Sequence, residues 1–347
     1  MEKRKIAVLF GGCSPEYSVS LQSAHGVITH MDRTRYEPVL VGITPEGDWF
    51  HYTGEVDRIG DDTWREGPCA PAAVAPGRKE RALLVFGEKE VQRISLDAAF
   101  PVLHGQNGED GTVQGLFQLA GIPVVGCGVL ASALCMDKDR AHKLARAAGV
   151  EVPEAKVLKK GMEQEATAMG DKLGYPLFVK PVKAGSSYGI TRITGPEQLS
   201  AAVTLAFQYD DEVILEEAIS GFEVGCAVLG NEALTMGEVD EIELSGGFFD
   251  FTEKYTLKTA AIHVPARISV EKAKQVKKVA GTVYRALGCR GFARVDLFLE
   301  PSGRILFNEV NTIPGFTAHS RYPSMMKAAG LSLEEVLTRI IELGVEK

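Results

Sequence analysis

The chain has few paired cysteines, little surplus positive charge and no long apolar run, and each shortage removes a class of function. Its six cysteines, Cys13, Cys69, Cys127, Cys135, Cys226 and Cys289, are scattered over 347 residues. None falls in a C-x-x-C pair, so a disulfide scaffold is excluded and zinc or dithiol chemistry has no support. Lys and Arg total 38 against 46 Asp and Glu, a formal net charge of −8. With no basic stripe beyond short runs such as Lys274 to Lys278, neither a nucleic-acid partner nor a membrane surface is expected. An anionic ligand must then be held by a local site working against the overall field. No window reaches the ~18 uninterrupted apolar residues that a bilayer span needs. The basic residues before Ile6 lead into an apolar run that stops at Gly11–Gly12, too short for a signal peptide, so a cytoplasmic protein is expected. Neither G-x-G-x-x-G nor G-x-x-x-x-G-K-[ST] occurs, and there is no internal repeat or low-complexity tract.

What remains is an ordinary globular composition, 45% hydrophobic and 24% charged, long enough for two or three domains. Ile6 to Phe10 reads as a buried parallel strand, Ser18 to Thr29 as a helix, Pro38 to Ile43 and Ala98 to Leu103 as strands, and Thr112 to Ala120 as a helix closed by a strand at Pro123 to Val125. Strands alternating with helices imply a parallel α/β sheet. Residues 55 to 95, with Pro68, Pro71 and Pro76, read as a surface excursion ending in a short hairpin. Leu130 to Gly149 is helical. Residues 155 to 216 follow as a small α+β unit, with strands at Leu177 to Val182 and Glu212 to Glu216 and helices at Glu163 to Leu173 and Pro196 to Phe207. Strands around Val224 to Leu229, Ala260 to Val264, Gly291 to Leu299 and Ile305 to Val310 come next, with a helix at Val270 to Leu287. A last helix opens with Ser332 and Glu335 as a capping box.

Chemistry concentrates in a few segments. In Gly291 to Thr312 two apolar runs flank Pro301-Ser302-Gly303, a β-hairpin. With Ser302 and Gly303 as turn residues, Asp296 lies opposite Glu309, and Arg294, Asp296, Glu309 and Asn311 share one face. Either one carboxylate pairs with Arg294 and the rest are solvated, or two carboxylates and an amide oxygen form a hard-cation site. The DEIEL run at Asp240 to Leu244 reads as a solvated strand edge. Lys180 ends a strand before a Gly/Ser-rich turn, Lys183 to Gly189, whose backbone N–H groups can face phosphate oxygens. Lys138 in MDKDRAHK reads alone as a solvated helix lysine. Gly11 to Glu16 follows the first strand, with Glu16 placed either to complement a helix dipole or to hold an ammonium group. His104 to Gly111 is a polar, Gly-rich loop at the end of an apolar strand, where open α/β sheets bind ligands. Cys13, beside the first of these loops, reads as a small buried residue.

Taken together the segments are identifiable. HGxxGEDGxxQG (His104 to Gly115), MDKDRAHKL (Met136 to Leu144), VKPxxAGSSxGI (Val179 to Ile190), EKY (Glu253 to Tyr255), ARVDLF (Ala293 to Phe298) and NEVNTIPGFTAHSRYP (Asn308 to Pro323) resemble the D-alanine–D-alanine ligase family of ATP-grasp enzymes, from Lys5 to Leu343. The resemblance implies a three-domain ATP-grasp fold of the α/β (α+β) class: an N-terminal parallel α/β substrate domain (1–127), a central domain (128–217) and a C-terminal domain (218–347). The last two sandwich ATP, and an active-site loop spans 246–257. By position, Lys138 and Lys180 would contact the ATP phosphates, Ser187 in the turn after Lys180 would also bind the cofactor, Glu217 and Ile219 would meet adenine, and Glu223 the ribose. Asp296, Glu309 and Asn311 would hold two Mg²⁺ (or Mn²⁺). Glu16, His104, Arg294 and the backbone of Gly315 would bind the first D-alanine, and Glu16, Ser186 and Tyr255 would form a triad closing the loop. A homodimer is also implied.

The resemblance extends to the second substrate. Lys254-Tyr255 is intact, which favours an amine over the hydroxyl of D-lactate. The loop sequence GGFFDFTEKYT, with Phe249 and Phe251, and HSRYP, with Ser320 and Arg321, resemble vancomycin-resistance D-alanine–D-serine ligases of the VanG type. A guanidinium at Arg321 would supply donors to a hydroxyl or to a polar neighbour. The expected reaction is ATP-dependent formation of D-Ala–D-Ser through a D-alanyl phosphate, for peptidoglycan precursors. Formation of D-Ala–D-Ala is the alternative, and a nucleotide-dependent oxidoreductase is disfavoured by the missing fingerprint.

Overall fold

A computed structural model describes residues 3–185, 188–244, 260–317 and 319–346. β1 (Arg4–Gly11) is fully buried from Ile6 to Phe10, as a strand covered on both faces requires. α1 (Tyr17–His30) crosses over to β2 (Tyr36–Ile43), which pairs in parallel with β1. The chain then adds β3 (Trp49–Tyr52), the one-turn α2 (Asp57–Gly60), β4 (Cys69–Val74), β5 (Ala82–Phe86) and β6 (Val91–Ser95), before β7 (Ala98–Pro101) returns in parallel to the other side of β1. The sheet order is β6-β5-β4-β3-β2-β1-β7, and each pair from β2 out to β6 is antiparallel. This corrects two expectations. The sheet is mixed, and residues 55 to 95 extend it, with the anticipated hairpin at β5–β6. Trp64, in the middle of that stretch, is fully buried against Phe10, Phe50 and Tyr52. Pro71 fits because it is exposed on β4, among short half-buried strands whose alternation is hard to see between prolines.

α3 (Thr112–Leu119) follows the His104 loop, and Pro123 to Val125 contributes only one bridge, Ala99 to Val124. The helix expected over Leu130 to Gly149 is two, α4 (Val129–Met136) and α5 (Lys138–Ala147). Asp137 interrupts them in an extended conformation and caps α5, its carboxylate accepting from the Arg140 N–H at 2.9 Å. A second sheet of β8 (Ala155–Lys159), β9 (Leu177–Pro181), β10 (Thr191–Ile193) and β11 (Glu212–Glu217) has the order β10-β9-β11-β8 and carries α6 (Ala166–Leu173) and α7 (Leu199–Ala206). The third, β14-β13-β12-β15-β16, comprises β12 (Phe222–Leu229), β13 (Thr235–Leu244), β14 (Ala260–His263), β15 (Phe292–Leu299) and β16 (Ile305–Asn311), with α8 (Val270–Ala286) against it. α9 (Arg321–Ala328) and α10 (Leu333–Val345), the latter with the Ser332–Glu335 capping box, complete the chain.

Two of these placements matter for function. Phe100 of the first sheet meets Phe292 and Phe316 edge-on, at 6.0 and 6.2 Å between ring centroids. One apolar core therefore joins the N-terminal sheet to the segment before α9. The DEIEL run is not an edge, because β14 covers β13, and Asp240 is fully buried. Among the described residues no helix is long and apolar enough to cross a membrane.

Candidate active site

The Asp296–Glu309 pairing holds, by a different route from the one expected. Glu300 N–H bonds the Arg304 carbonyl, so Pro301, Ser302 and Gly303 form a three-residue loop, with Gly303 at φ +88° supplying the left-handed residue such a loop needs. That register places Leu299 opposite Ile305 and Leu297 opposite Phe307. A bulge then leaves Asn308 unpaired and sets Asp296 opposite Glu309 and Arg294 opposite Asn311. The Arg294 guanidinium holds Asp296 in a fork, Nε to Oδ1 at 2.8 Å and Nη2 to Oδ2 at 2.7 Å, and Asn311 Nδ2 donates to Oδ2 at 2.9 Å. Glu309 is not left to solvent. Its Oε2 lies 3.8 Å from Lys138 Nζ.

Over this pair sits a buried charge network that sequence patterning did not reveal. Gly225 of β12 is in register with Asp240 on one side and Asp296 on the other. A Cβ there would lie 2.4 Å from Arg321 Nη2 and 2.7 Å from Asp240 Oδ1, so the missing side chain is what lets these groups converge. Arg321 donates to Asp240 through Nε (2.6 Å) and Nη2 (2.8 Å) and to Glu223 through Nη1 (2.9 Å), with Nη2 also 3.3 Å from Asp296 Oδ1. Burial alone would weaken its charge, but Asp240, Asp296 and Glu223 outweigh that and hold it firmly protonated. Arg321 is thus committed to three carboxylates and orders polar neighbours.

Between the second and third sheets lies a cavity of about 930 Å³, lined by Lys138, Lys180, Ile219, Glu223, Asp296 and Glu309 among others. The break at Asp137 starts α5 at Lys138, which is buried and donates to the Ala184 carbonyl at 2.8 Å. It is not the solvated helix lysine expected from its motif alone. Lys180, central in the second sheet, pairs with Glu216 of β11 at 2.6 Å, both side chains almost wholly buried. Glu217 ends the same strand with its N–H on the Glu154 carbonyl and its carboxylate on the Glu154 N–H.

A smaller lobe, about 120 Å³, is lined by Glu16, His104, Arg294, Gly315, Ser320 and Arg321. Glu16 occupies the N-cap position of α1 without capping it. A Cβ at Gly105 or Gly185 would fall 3.0 or 3.4 Å from its Oε2, placing it between two Gly-rich loops. Ser23, fully buried on α1, holds two of these parts together: its Oγ is 3.2 Å from His104 Nε2 and accepts the Phe316 N–H at 3.2 Å. Glu109 ties the same loops, accepting the Gly105 N–H at 2.8 Å and the Ile313 N–H at 3.3 Å. Ser320 Oγ accepts the Thr317 N–H at 2.9 Å, fixing the turn before α9. Ser23→Ala leaves the buried Phe316 N–H without its acceptor, about 1–3 kcal/mol, and removes a contact to His104. It should raise KM for the first substrate more than it lowers kcat, as steady-state kinetics would show. Cys13, expected to be buried, is exposed: it follows the strand end and faces outward.

Residues 5–127 match the family described as D-ala D-ala ligase N-terminus, and residues 144–342 match D-ala D-ala ligase C-terminus. The chain belongs to the D-alanine–D-alanine ligase family. The crystal structure of VanG D-Ala:D-Ser ligase from Enterococcus faecalis is 55% identical, with a TM-score of 0.93 over 99% of each chain. The vancomycin B-type resistance protein VanB of Enterococcus faecalis is 47% identical over 100% of both chains, and a D-alanine–D-alanine ligase of Caldicellulosiruptor bescii 42% over 100% of this chain and 96% of its own. Ligases of this family are ATP-dependent and share the ATP-grasp fold. Of the positions expected to act, Glu16, His104, Lys138, Lys180, Ile219, Glu223, Arg294, Asp296, Glu309, Asn311, Gly315, Ser320 and Arg321 line the cavity or its adjoining lobes. Ser186, Ser187, Phe249, Lys254 and Tyr255, with the loop expected at 246–257, lie outside the described residues. Ser23, Glu109, Gly225 and Asp240 were missed. The signals for them were the motif that contains Glu109 and the DEIEL run that begins at Asp240, which was read as a solvated edge.

Proposed function

We propose that the ligase uses ATP to join D-alanine to D-serine through a D-alanyl phosphate, supplying peptidoglycan precursors that end in D-serine and thereby vancomycin resistance. The observation that carries the ligation chemistry is the continuity of the large cavity with the Glu16–His104–Arg294 lobe. A third lobe shares Lys138, Gly185 and Glu309 with the first, and Glu16, Glu109 and Asn311 with the second. A nucleotide in the large cavity would present its terminal phosphate beside Lys138 and Lys180, and a D-alanine carboxylate in the lobe would attack it. ADP leaves and an acyl phosphate forms. The amine of the second substrate then attacks the acyl carbon, with the Arg294 guanidinium and the Gly315 N–H facing the developing oxyanion, and phosphate departs. Asp296, Glu309 and Asn311 would hold Mg²⁺ (or Mn²⁺). Their oxygens form a hard-donor set of two facing carboxylates and an amide, and the ion, when bound, neutralises phosphate charge. Among the described residues no three His, Cys, Asp or Glu side chains cluster as a metal site.

Preference for D-serine is supported by the 55% identity to the VanG D-Ala:D-Ser ligase and by Phe249 in the loop sequence. Since Arg321 is engaged by three carboxylates, it would act on a serine hydroxyl through a neighbour. Incubation with ATP, Mg²⁺, D-alanine and equimolar D-serine at neutral pH should give predominantly D-Ala–D-Ser by chromatography. Predominant D-Ala–D-Ala would make the enzyme a housekeeping ligase, and an ester product from added D-lactate would place it with depsipeptide ligases.

A further inference from the structure

Behind Lys180 two buried acceptor atoms face each other with nothing between them. His142, on α5 one turn after Lys138, packs its ring edge-on against Phe307, and its Nε2 lies 2.8 Å from the Asn308 carbonyl. A carbonyl only accepts, so Nε2 carries a proton, and in the neutral ring Nδ1 is a bare lone pair. That nitrogen has no hydrogen-bond partner. Neither does Glu216 Oε2, the oxygen that Lys180 does not use. They are 3.8 Å apart, too close for a bridging water.

We infer that His142 is a positioning residue for Lys180, acting through Glu216, and that nucleotide binding is coupled to uptake of one proton on His142 Nδ1. Proton addition converts the lone pair into an N–H donor, and a movement of about 1 Å brings it into hydrogen-bond range of Oε2. Glu216 is then shared between an imidazolium and the Lys180 ammonium, and Lys180 is held less tightly and freer to follow a phosphate. The charged groups acting on His142 are Glu216 from β11, Lys180 from β9 and Lys138 from its own helix. Burial, foremost, and the two ammonium groups hold the imidazole neutral, while Glu216 and the Asn308 carbonyl oppose them. β16 adds the Phe307 ring, and α4 and α8 meet α5 through an apolar cluster whose titratable members, Cys127, Cys135, Cys226, Cys289 and Tyr284, are kept neutral by raised pKa values. A polyphosphate beside Lys138 and Lys180 offsets the two positive charges that oppose protonation. The His142 pKa therefore rises on binding, and affinity must strengthen as pH falls through its bound-state value.

The inference rests on reading the large cavity as the nucleotide site, and one experiment separates the two. Calorimetric titration of the full-length protein with a non-hydrolysable ATP analogue and Mg²⁺, near pH 6.5 in buffers of different ionisation enthalpy, should show net proton uptake. His142→Gln, whose amide nitrogen can still donate to Asn308 but whose side chain cannot titrate, should bind the analogue equally well at pH 8, with the uptake and the affinity gain at low pH both lost. Binding without uptake, or equal uptake in His142→Gln, overturns the role of His142 and leaves the nucleotide site standing. No binding heat and no competition by ATP overturns both. Histidine ring NMR, with the His142 signal assigned by its absence in His142→Gln, gives a second readout. Its titration midpoint should move upward when the analogue is added, and an unmoved midpoint overturns the inference.

Discussion

Arg321→Leu is expected to lose about 3–5 kcal/mol of folding stability, the range for removing one partner of a buried ion pair. Asp240 is fully buried, and Arg321 supplies donors to both its oxygens, leaving only the Gly225 N–H, 2.8 Å from Oδ1. Glu223 and Asp296 lose a neighbour in the same step, although Asp296 keeps Arg294. The functional loss should appear as weaker nucleotide affinity, since Glu223 and Asp296, which both lose this cation, face the large cavity. Arg321→Lys should recover little, because one ammonium cannot reach three carboxylates as a planar fork does. Urea denaturation and calorimetry with an ATP analogue check both points. A stable Arg321→Leu protein with unchanged nucleotide affinity and a new acceptor preference would show that the guanidinium serves the second substrate instead.

The second large effect is expected at Lys180. Lys180→Met should lower kcat/KM by about 10²–10³-fold, the usual loss when one preorganised donor to developing charge is removed. It should also cost about 3–5 kcal/mol of stability, because Glu216 is left buried with neither oxygen paired. Adding Glu216→Gln separates the two losses. The neutral amide removes the buried charge and can donate to His142 Nδ1, so the melting temperature should recover while activity stays low. Recovery of activity in the double variant would make Lys180 only a counter-ion for Glu216.

Much of the candidate site was legible because its residues sit in long, ordered motifs and because strand period constrains faces. Asp296, Glu309 and Asn311 could be placed on one side of a hairpin from alternation alone. The turn behind that inference was nevertheless one residue off. A bulge at Asn308 restored the register, and bulges leave no clear trace in hydrophobic patterning. Residues 55 to 95 were misjudged because short antiparallel strands broken by proline lack the continuous apolar runs that marked β1 and β7. Arg321 was read as a donor to a substrate hydroxyl or to a polar neighbour, and its three carboxylate partners were not legible because they come from residues 223, 240 and 296, which only the folded sheet brings together.

The sequence by itself determined the family, the ATP-grasp fold implied by it and the chemical types that meet in the cavity, since motif order and side-chain period are properties of the chain alone. The tertiary structure decided which charges neutralise which. Lys138 became a buried cavity lysine only through the helix break at Asp137 and the residue just beyond β9, Val182, whose carbonyl accepts its N–H. Asp240 passed from a solvated edge to the centre of an ion network only because β14 covers β13. His142 and Glu216 acquired opposed, unpartnered acceptors only by packing. The strength of such interactions depends on burial and on separations of a few ångströms, quantities that exist only once distant segments have met.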